Sequence, residues 1–308
     1  MKHLFIINPG AGGIKGQLDE KEREIRKFAD CLRDPFELYR TKAPLDALHK
    51  VTREAETADM LYVYACGGDG TLNECVNGAV KRANVAVTHY PCGTGNDFIR
   101  MFGKEDMQKF RDLRTLAGGE VRPLDVIDCN GRYGLNICSV GVDARIGADV
   151  HKYSGIPIIG GATGYIVSLV VNLIKGVTRD FRISVEDVVL DGKFTLVCAC
   201  NGRFYGGGFN PIPDAMPDDG VLDFLITNPV SRLKFIMVVG KYAKGRFREY
   251  PDLMTHVRGS YMEIESGREF AVNIDGEIIT AKKTCFKLIP KGVNFIFPHE
   301  MEYFDQNI

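Results

Sequence analysis

The sequence predicts two domains in one chain: an α/β domain followed by a domain built mainly of β-strands. Its 308 residues, 45% apolar and 26% charged, are typical of a globular protein with two domains. The first 120 residues alternate apolar strands with charged helices, which indicates βαβ units. After Gly118 most segments have the pattern of strands, which indicates a mainly antiparallel sandwich or barrel. We place the α/β domain at residues 1–122 and the β domain at 123–290.

The elements of the first domain follow in order. Strands are predicted at residues 4–7, 36–39, 61–65 and 85–88. Helices are predicted at residues 18–32, 44–58 and 71–82, and a further helix begins near residue 96. Strands joined by helices lie parallel, so their carboxyl ends share one edge of the sheet, where such sheets bind ligands.

The second domain is predicted to contain more strands than helices. The strands are expected at residues 121–129, 133–140, 181–185, 194–200, 221–227, 261–264 and 286–289. Two helices interrupt them, at residues 164–175 and 231–244. The first of these helices has an apolar stripe that fits a core position, with contact to acyl chains as the alternative interpretation.

Composition and charge exclude several classes of protein. The 39 basic and 40 acidic residues give a net charge of −1, which argues against a nucleic-acid partner. No apolar run approaches the roughly 20 residues of a membrane span, and the N-terminal apolar run ends too early for a signal peptide. The nine cysteines are odd in number and lack a C-x-x-C pair, so we expect free thiols in a reducing compartment. These features predict a cytoplasmic protein.

Three glycine-containing turns follow strands of the first domain, at residues 8–13, 67–71 and 93–97. Glycine lets a phosphate approach the main chain, and the N-terminus of the following helix attracts anions. Three such turns at one sheet edge form a seat large enough for the phosphates of a nucleotide. The sequence contains neither a Walker A loop nor a G-x-G-x-x-G fingerprint.

The turn at residues 67–71 also has a purely structural interpretation. Thr71 and Glu74 fit a T-x-x-E capping box at the start of a helix. Asp69 fits this interpretation less well, because a carboxylate repels phosphate unless a cation or a directed hydrogen bond intervenes. We therefore associate Asp69 with Mg²⁺ bound through water.

Two acidic turns in the second domain are candidates for chemistry. Asp219, in an Asp-Asp-Gly turn, either ends a loop or binds a hard cation together with backbone carbonyls. Asp275, in an Asp-Gly-Glu segment, is typical of a two-residue hairpin. The functional alternative makes Asp275 a general base that is exposed on the turn and directed at the first domain.

Together these motifs resemble the diacylglycerol kinase catalytic-domain family, in particular its soluble bacterial lipid kinases. The motifs are NPGAGG from Asn8, GGDGTLNE from Gly67, GTGNDF from Gly93, DDG from Asp218 and DGE from Asp275. The resemblance implies a Rossmann-like, phosphofructokinase-like α/β nucleotide domain and a β-sandwich-like second domain, with the active site in the cleft. It also implies that residues 291–308 return to the first domain, with a strand at 293–297.

The resemblance further implies roles for individual residues. Asp275 is the expected catalytic base. Contacts to ATP are implied for Gly10, Ala11, Gly12, Gly13, Thr41, Gly67, Gly68, Asp69, Gly70, Thr71, Leu72, Asn73, Thr94 and Glu277. Mg²⁺ is expected at Asp219 with the carbonyls of Met216 and Val221, and Asp69 and Asp97 join it through water.

The function that follows is an ATP-dependent lipid kinase acting on a primary hydroxyl of a diacylglycerol-like lipid at the membrane surface, with a homodimer left open. A NAD kinase is the first alternative, because it shares the G-G-D-G-T turn. A non-catalytic nucleotide- or lipid-binding regulator is the second. The cationic segment from Lys241 to Arg248 has two interpretations, a solvated helix end or a site for anionic headgroups.

Overall fold

The computed structural model describes residues 1–10, 15–93, 95–154 and 176–305. The chain forms two compact units. The first comprises Met1–Val126 and Pro290–Ile308, and the second comprises Ile127–Ile289. One long strand, Glu277–Phe297, continues along the chain from the second unit into the first.

The first unit contains a parallel sheet. Its strands are β1 (Lys2–Ile7), β2 (Phe36–Arg40), β3 (Leu61–Gly67), β4 (Val85–Pro91) and the end of β14 (Glu277–Phe297). Their order is β14-β4-β3-β1-β2. Every neighbouring pair is parallel, including Phe295 of β14 opposite Val87 of β4. The four predicted strands of this region and the strand expected at residues 293–297 are therefore confirmed.

Helices connect these strands. They are α1 (Lys15–Ala29), α2 (Asp46–Ala55), α3 (Asp69–Ala79), α4 (Asp97–Arg100), α5 (Gly103–Lys109), α6 (Leu113–Ala117) and, after β14, α9 (Glu302–Asp305). The first three were predicted to within a few residues, whereas α5, α6 and α9 were not predicted. These three have seven residues or fewer, too few to show a clear helical periodicity.

The core of the first unit follows from the composition of its strands. Strands β1, β3 and β4 are almost continuously apolar, as expected of strands that helices cover on both faces. Phe5 and Tyr64 stack with ring centroids 4.4 Å apart, and both are fully buried. On α3, a Cβ at Gly78 would lie 2.8 Å from the Leu48 carbonyl oxygen, so α2 and α3 pack closely.

The second unit is built from antiparallel strands. They are β5 (Glu120–Cys129), which begins in the first unit, β6 (Arg132–Gly134), β7 (Ile137–Gly141), β8 (Arg179–Val185), β9 (Val188–Phe194), β10 (Leu196–Cys200), β11 (Leu222–Thr227), β12 (Met254–Gly259), β13 (Tyr261–Ile274) and the start of β14. The central order is β12-β11-β10-β7-β13-β14. Strand β8 pairs with β13 and β9, and β6 pairs with β5. The helices are α7 (Val142–Ser154), α8 (Arg232–Tyr242) and a short 3₁₀ helix, Phe247–Glu249.

Alternate residues of the central strands enter two apolar clusters. In β10, Val197 and Ala199 lie in one cluster, whereas Cys198 and Cys200 lie in the other. Strand periodicity explains this division, because successive side chains point to opposite faces of a sheet. All nine cysteines are free thiols, six of them buried, as the sequence predicted.

Several predicted elements of the second domain differ from the structure. The strand expected at residues 133–140 is two strands, β6 and β7. Strands β9 and β12 and helix α7 were missed. The strand expected at 261–264 extends to Ile274, and those expected at 286–289 and 293–297 belong to the single strand β14. The helix predicted at 231–244 is confirmed as α8. The helix predicted at 164–175 lies outside the described residues.

Candidate active site

Three turns of the first unit come together at the carboxyl edge of its parallel sheet. The Asn8 side-chain amide, after β1, donates to the Thr71 hydroxyl at 3.0 Å, at the start of α3. The backbone N–H groups of Cys92 and Gly93, after β4, donate to the Gly67 carbonyl at 2.8 and 3.1 Å. The turns after β1, β3 and β4 are thus bonded to one another, as expected where parallel strands end side by side.

Glycine is required at two positions of these turns because a side chain there would collide with its neighbour. A Cβ added to Gly93 would lie 2.5 Å from the Gly68 Cα atom, and one added to Gly67 would lie 2.2 Å from the Thr71 hydroxyl oxygen. Neither distance is tolerated by non-bonded atoms. The turn after β3 and the turn after β4 therefore pack backbone against backbone.

Asp69 links the same two turns. One carboxylate oxygen accepts a hydrogen bond from the Asp97 backbone N–H at 2.7 Å. Burial raises the pKa of this carboxyl group, and hydrogen bonds from the backbone of Asp97, Phe98 and Asn96 oppose that rise. A directed hydrogen bond thus holds this carboxylate at the turn, and its predicted contact to Mg²⁺ through water stays a prediction.

The capping box predicted from Thr71 and Glu74 is wrong. Helix α3 begins two residues earlier, with Gly68 at the N-cap position, and Gly68 has no side chain to cap the first turn. The Glu74 carboxylate instead accepts from the backbone N–H groups of Leu45 and Ala47 at 2.9 and 3.0 Å, and so caps α2. The N-terminus of α3 keeps the dipole and backbone groups that favour an anion.

A buried histidine supports the turn after β3. His89 of β4 is fully buried, and its Nε2 lies 3.1 Å from the Gly67 carbonyl oxygen. Burial lowers the pKa of His89 to about 4, so the imidazole is neutral at pH 7. Sequence analysis did not single out this residue, because a lone histidine in an apolar strand carries no motif.

The other residues predicted to contact ATP lie around these turns. Thr41 follows β2, and its backbone N–H donates to the Ile7 carbonyl at 2.9 Å. The Gly10 N–H donates to the Asn8 side-chain oxygen at 2.8 Å. Gly70, Leu72 and Asn73 lie in the first two turns of α3. The predicted residues Ala11, Gly12, Gly13 and Thr94 lie outside the described residues.

In the second unit, Asp275 occupies the hairpin between β13 and β14. Asp275 and Gly276 have φ values of 50° and 99°, and Ile274 pairs with Glu277 across the turn. Positive φ at both loop residues defines the tight hairpin that an Asp-Gly pair predicts, and this prediction is confirmed.

The Asp275 carboxylate is held by three successive backbone N–H groups. The Leu135 N–H donates to one oxygen at 2.6 Å, and the Asn136 and Ile137 N–H groups donate to the other at 3.0 and 2.8 Å. The expectation that Asp275 is exposed is therefore wrong: the residue is half-buried, whereas Glu277 is exposed. The same contacts explain the break between β6 and β7, because these N–H groups turn toward the carboxylate.

Three donors fix the direction of this carboxylate. A carboxylate oxygen is a hydrogen-bond acceptor and can receive the proton of an alcohol. The arrangement supports a fixed acceptor for an alcohol proton.

The predicted Mg²⁺ site at Asp219 contains a different cation. One Asp219 oxygen pairs with the Arg258 guanidinium, and the other accepts from the Val221 N–H at 3.2 Å. Arg258 also lies 3.4 Å from buried Asp223, which contacts His256 at 2.6 Å.

The side chains at this turn therefore form an ion-pair network across β11 and β12. A second cation on the same carboxylate would meet the repulsion of the guanidinium. Within the residues that the structure describes, no group of three or more His, Cys, Asp or Glu side chains is arranged to hold a metal. With the Arg258 guanidinium in place, the Asp219 carboxylate does not fit Mg²⁺, and the predicted contacts of the Met216 and Val221 carbonyls stay predictions.

Asp143, in the first turn of α7, is a buried carboxylate that sequence analysis missed. It accepts from the Ser139 hydroxyl at 2.6 Å and from the Ala144 N–H at 2.7 Å. Burial raises its pKa to about 6, against hydrogen bonds that lower it. Ser139 lies opposite Asn273, two residues before the Asp275 turn. The sequence alone does not show that this carboxylate lies near the Asp275 turn, because that position depends on the pairing of β7 with β13.

The comparisons with known proteins identify the class as a kinase. Residues 2–129 match the diacylglycerol kinase catalytic domain, and residues 136–297 match the YegS C-terminal NAD kinase beta sandwich-like domain. The chain belongs to the diacylglycerol kinase catalytic-domain family. The predicted fold class, an α/β domain followed by a β-sandwich-like domain, is confirmed.

Relatives cover nearly the whole chain. A Staphylococcus aureus (strain Newman) protein named "Putative lipid kinase" is 27% identical over 301 residues, which are 97% of this chain and 88% of the relative. A crystal structure of "a putative diacylglycerol kinase" from Bacillus anthracis str. Sterne has a TM-score of 0.75 at 24% identity, covering 97% of this chain and 96% of the other. A second structure from that organism has a TM-score of 0.71 at 26% identity and covers 97% of each chain.

Proposed function

We propose that the protein is an ATP-dependent lipid kinase that transfers the γ-phosphate to a primary hydroxyl of a diacylglycerol-like lipid. The observation that carries this proposal is the Asp275 carboxylate, fixed by three backbone N–H groups in a chain of a kinase family. The relatives named lipid kinase and diacylglycerol kinase support the acceptor class.

The phosphates of ATP bind, in this proposal, at the joined turns of the first unit. Gly68 and the first turn of α3 offer backbone N–H groups and a helix dipole to an anion. Asp69 and His89 act as positioning residues, because Asp69 accepts from the Asp97 N–H of the neighbouring turn and His89 contacts the Gly67 carbonyl. The roles of Gly10–Gly13, Thr41, Thr94 and Glu277 remain part of this proposal.

Asp275 accepts the proton of the lipid hydroxyl. The hydroxyl oxygen forms a bond to the γ-phosphorus, the bond from that phosphorus to the bridging oxygen breaks, and ADP leaves. The proton passes to a carboxylate oxygen of Asp275. A strongly basic group is not needed, because the transition state is loose and positioning with charge stabilisation does most of the work.

We expect the reaction to need Mg²⁺ together with ATP, because the ion neutralises charge on the phosphates in phosphoryl transfer. Because the Asp219 turn does not fit the ion, no step is assigned to a metal there.

Two other functions compete with this one. The first is an NAD kinase, because residues 136–297 match a domain described as NAD kinase beta sandwich-like. A non-catalytic nucleotide- or lipid-binding regulator needs no fixed proton acceptor, so the hydrogen bonds at Asp275 favour an enzyme over it.

The test is to incubate the protein with γ-labelled ATP, Mg²⁺ and either a bacterial lipid extract, purified diacylglycerol or NAD. The proposal predicts label in phosphatidic acid from diacylglycerol and none in NADP. Label in NADP alone would assign the first alternative. ATP binding without label in any acceptor would assign the second.

A further inference from the structure

Helix α8 carries three large apolar side chains on its outer face. Leu233, Ile236 and Met237 are 69%, 56% and 62% exposed, and their spacing places them side by side along one stripe. We call these three residues the α8 stripe. The opposite side of the helix is buried through Val238 and Tyr242. The helix therefore has apolar residues on both its inner and outer faces.

A contiguous apolar stripe differs from scattered exposed residues. Leu233 and Met237 are the two most exposed large hydrophobic side chains among the described residues. Single exposed apolar residues are common, whereas a grouped set that polar or charged residues border marks an interaction surface.

The borders of the stripe are cationic. Helix α8 contains Arg232, Lys234 and Lys241 but no acidic residue, and Lys244 follows it. Lys234 and Lys241 are seven residues apart, so they line one side of the stripe, and Arg232 lies toward the other. No described carboxylate lies within ion-pairing range of Lys234 or Lys244, and Lys241 is 3.8 Å from Glu249.

We propose that the α8 stripe inserts into the interface of an anionic lipid bilayer and docks the second unit on the membrane. An apolar face flanked by lysine and arginine is the pattern of helices that lie in the plane of a bilayer surface. Anionic headgroups complement the charges at the border. A second copy of the chain fits less well, because an identical helix would bring cations against cations.

This inference rests on the proposed function, because a lipid acceptor lies in a bilayer. The stripe also belongs to the unit that contains Asp275. The buried face of α8 shares an apolar cluster with Ile137, whose backbone N–H donates to the Asp275 carboxylate. Docking through α8 thus attaches to the membrane the same sheet that holds the proposed proton acceptor.

The test is co-sedimentation with vesicles of phosphatidylcholine alone, or of equal parts phosphatidylcholine and phosphatidylglycerol, without ATP. The triple variant Leu233→Ser, Ile236→Ser, Met237→Ser should bind the anionic vesicles at least about tenfold more weakly than the unchanged protein. A matched control is Val188→Ser with Val189→Ser, which removes two apolar side chains of 51% and 56% exposure from β9. That control should bind like the unchanged protein.

The charge at the border is tested separately. Lys234→Gln with Lys244→Gln should weaken binding to anionic vesicles about 25-fold, since each cation contributes about fivefold. The same variant should not alter the residual binding to phosphatidylcholine alone. Added salt should weaken the binding of the unchanged protein.

Two results would overturn the proposal. One is equal vesicle binding by the unchanged protein and the triple variant. The other is an unchanged protein that binds no anionic vesicles but forms a dimer, in sedimentation velocity, that the triple variant dissociates. Melting temperatures of all variants should match, which excludes a folding defect.

Failure of the kinase assignment is recognised independently. Phosphorylation of a short-chain, water-soluble diacylglycerol should be the same for the unchanged protein and the triple variant. Absence of that reaction alongside normal vesicle binding would reject the kinase and keep the docking surface.

Discussion

Asp275 both forms a tight turn and carries the carboxylate that we propose as the proton acceptor. The Asp-Gly pair forms the hairpin, and the carboxylate reaches three N–H groups that lie 138 to 140 residues earlier in the chain. Sequence spacing predicted the turn, since a tight hairpin is a local structure. It could not predict the hydrogen bonds, because they depend on how β7 pairs with β13.

Asp143 should lower the stability of the fold as it ionises. Its pKa is about 6 in the folded protein and near 3.8 in a model compound, so the folded state binds the proton more tightly. Stability from this group is therefore present at low pH and is lost as the pH rises from about 4 to about 6. The loss amounts to about 3 kcal/mol.

Urea unfolding of Asp143→Asn at several pH values tests this. Relative to the unchanged protein, the variant should gain about 3 kcal/mol between pH 4 and pH 7. Asp187→Asn, which alters an exposed carboxylate of the same unit, is the control and should show a smaller change. A stability difference for Asp143→Asn that is constant with pH would contradict the expectation.

Asp69 should matter more for the geometry of the turns than for charge. Asp69→Ala leaves the N–H of Asp97 without its acceptor, so we expect the free energy of unfolding to fall by about 1–3 kcal/mol and ATP to bind more weakly. Asp69→Asn keeps one acceptor oxygen and should lose less. Calorimetric ATP titration and thermal melts measure both effects. An alanine variant that binds ATP and melts like the unchanged protein would exclude this linking role.

Among the elements, buried parallel strands were the most predictable. Strands β1, β3 and β4 are short apolar runs that end at glycine or proline, and the sequence located each to within three residues at either end. The capping box predicted from the T-x-x-E pattern at Thr71 was wrong, because this pattern does not by itself fix the residue at which a helix begins. The Glu74 carboxylate had a better partner on α2, which is distant in sequence.

The strands of the second unit were less predictable. Strand β14 has 21 residues and alternates between buried and exposed positions, so the sequence suggested separate short strands. Helix α8 was located correctly, but its outer stripe was not recognised. Leu233, Ile236 and Met237 have the composition of core residues, and only the packing of Val238 and Tyr242 shows which face is covered.

The Arg258 ion pair predicts how the acidic turn responds to metal. Because a guanidinium already neutralises Asp219, the melting temperature should be the same in Mg²⁺ and in EDTA. Arg258→Gln removes that cation and should lower the melting temperature in EDTA, with partial recovery in Mg²⁺.

Differential scanning fluorimetry of the unchanged protein and of Arg258→Gln makes this comparison. Lys283→Gln, which breaks a more exposed pair with Glu263, is the control and should not respond to Mg²⁺. Stabilisation of the unchanged protein by several degrees in Mg²⁺ would place a metal at a turn where we find an ion pair.

For the molecule as a whole, the end of the chain completes the first unit. Phe295 and Phe297 are buried, and the Ile296 carbonyl accepts from the Thr88 hydroxyl at 2.8 Å. A chain that ends at Ile289 loses the strand beside β4 and exposes an apolar strand edge. We expect it to melt at a much lower temperature or to aggregate.

Limited proteolysis and thermal melts of that truncated chain test the expectation. A chain that lacks only the last three residues, 306–308, is the control and should melt like the full chain. An unchanged melting temperature after truncation at Ile289 would show that the returning strand is dispensable.

No helix of the described residues is long and apolar enough to cross a membrane. In the proposed function, each unit has its own role. The first unit supplies turns that suit an anion, and the second supplies a fixed proton acceptor and the α8 stripe. Sequence motifs predicted the turns and the acidic residue. The stripe required the structure, because it depends on which helix face packs against the sheet.

We propose that Asp275 accepts the proton of the lipid hydroxyl, and the phosphotransfer rate of Asp275→Asn is the decisive measurement of this role. Because both carboxylate oxygens accept N–H groups, this variant also disturbs the turn. Asn273→Ala is the matched control, since it removes the 2.7 Å hydrogen bond from the Gly276 N–H in the same hairpin.

With γ-labelled ATP and diacylglycerol, Asp275→Asn should transfer phosphate about 100-fold more slowly or worse, while ATP affinity is retained. Asn273→Ala should keep most of its transfer rate. A near-normal rate for Asp275→Asn, or an equal loss in both variants, would contradict the account.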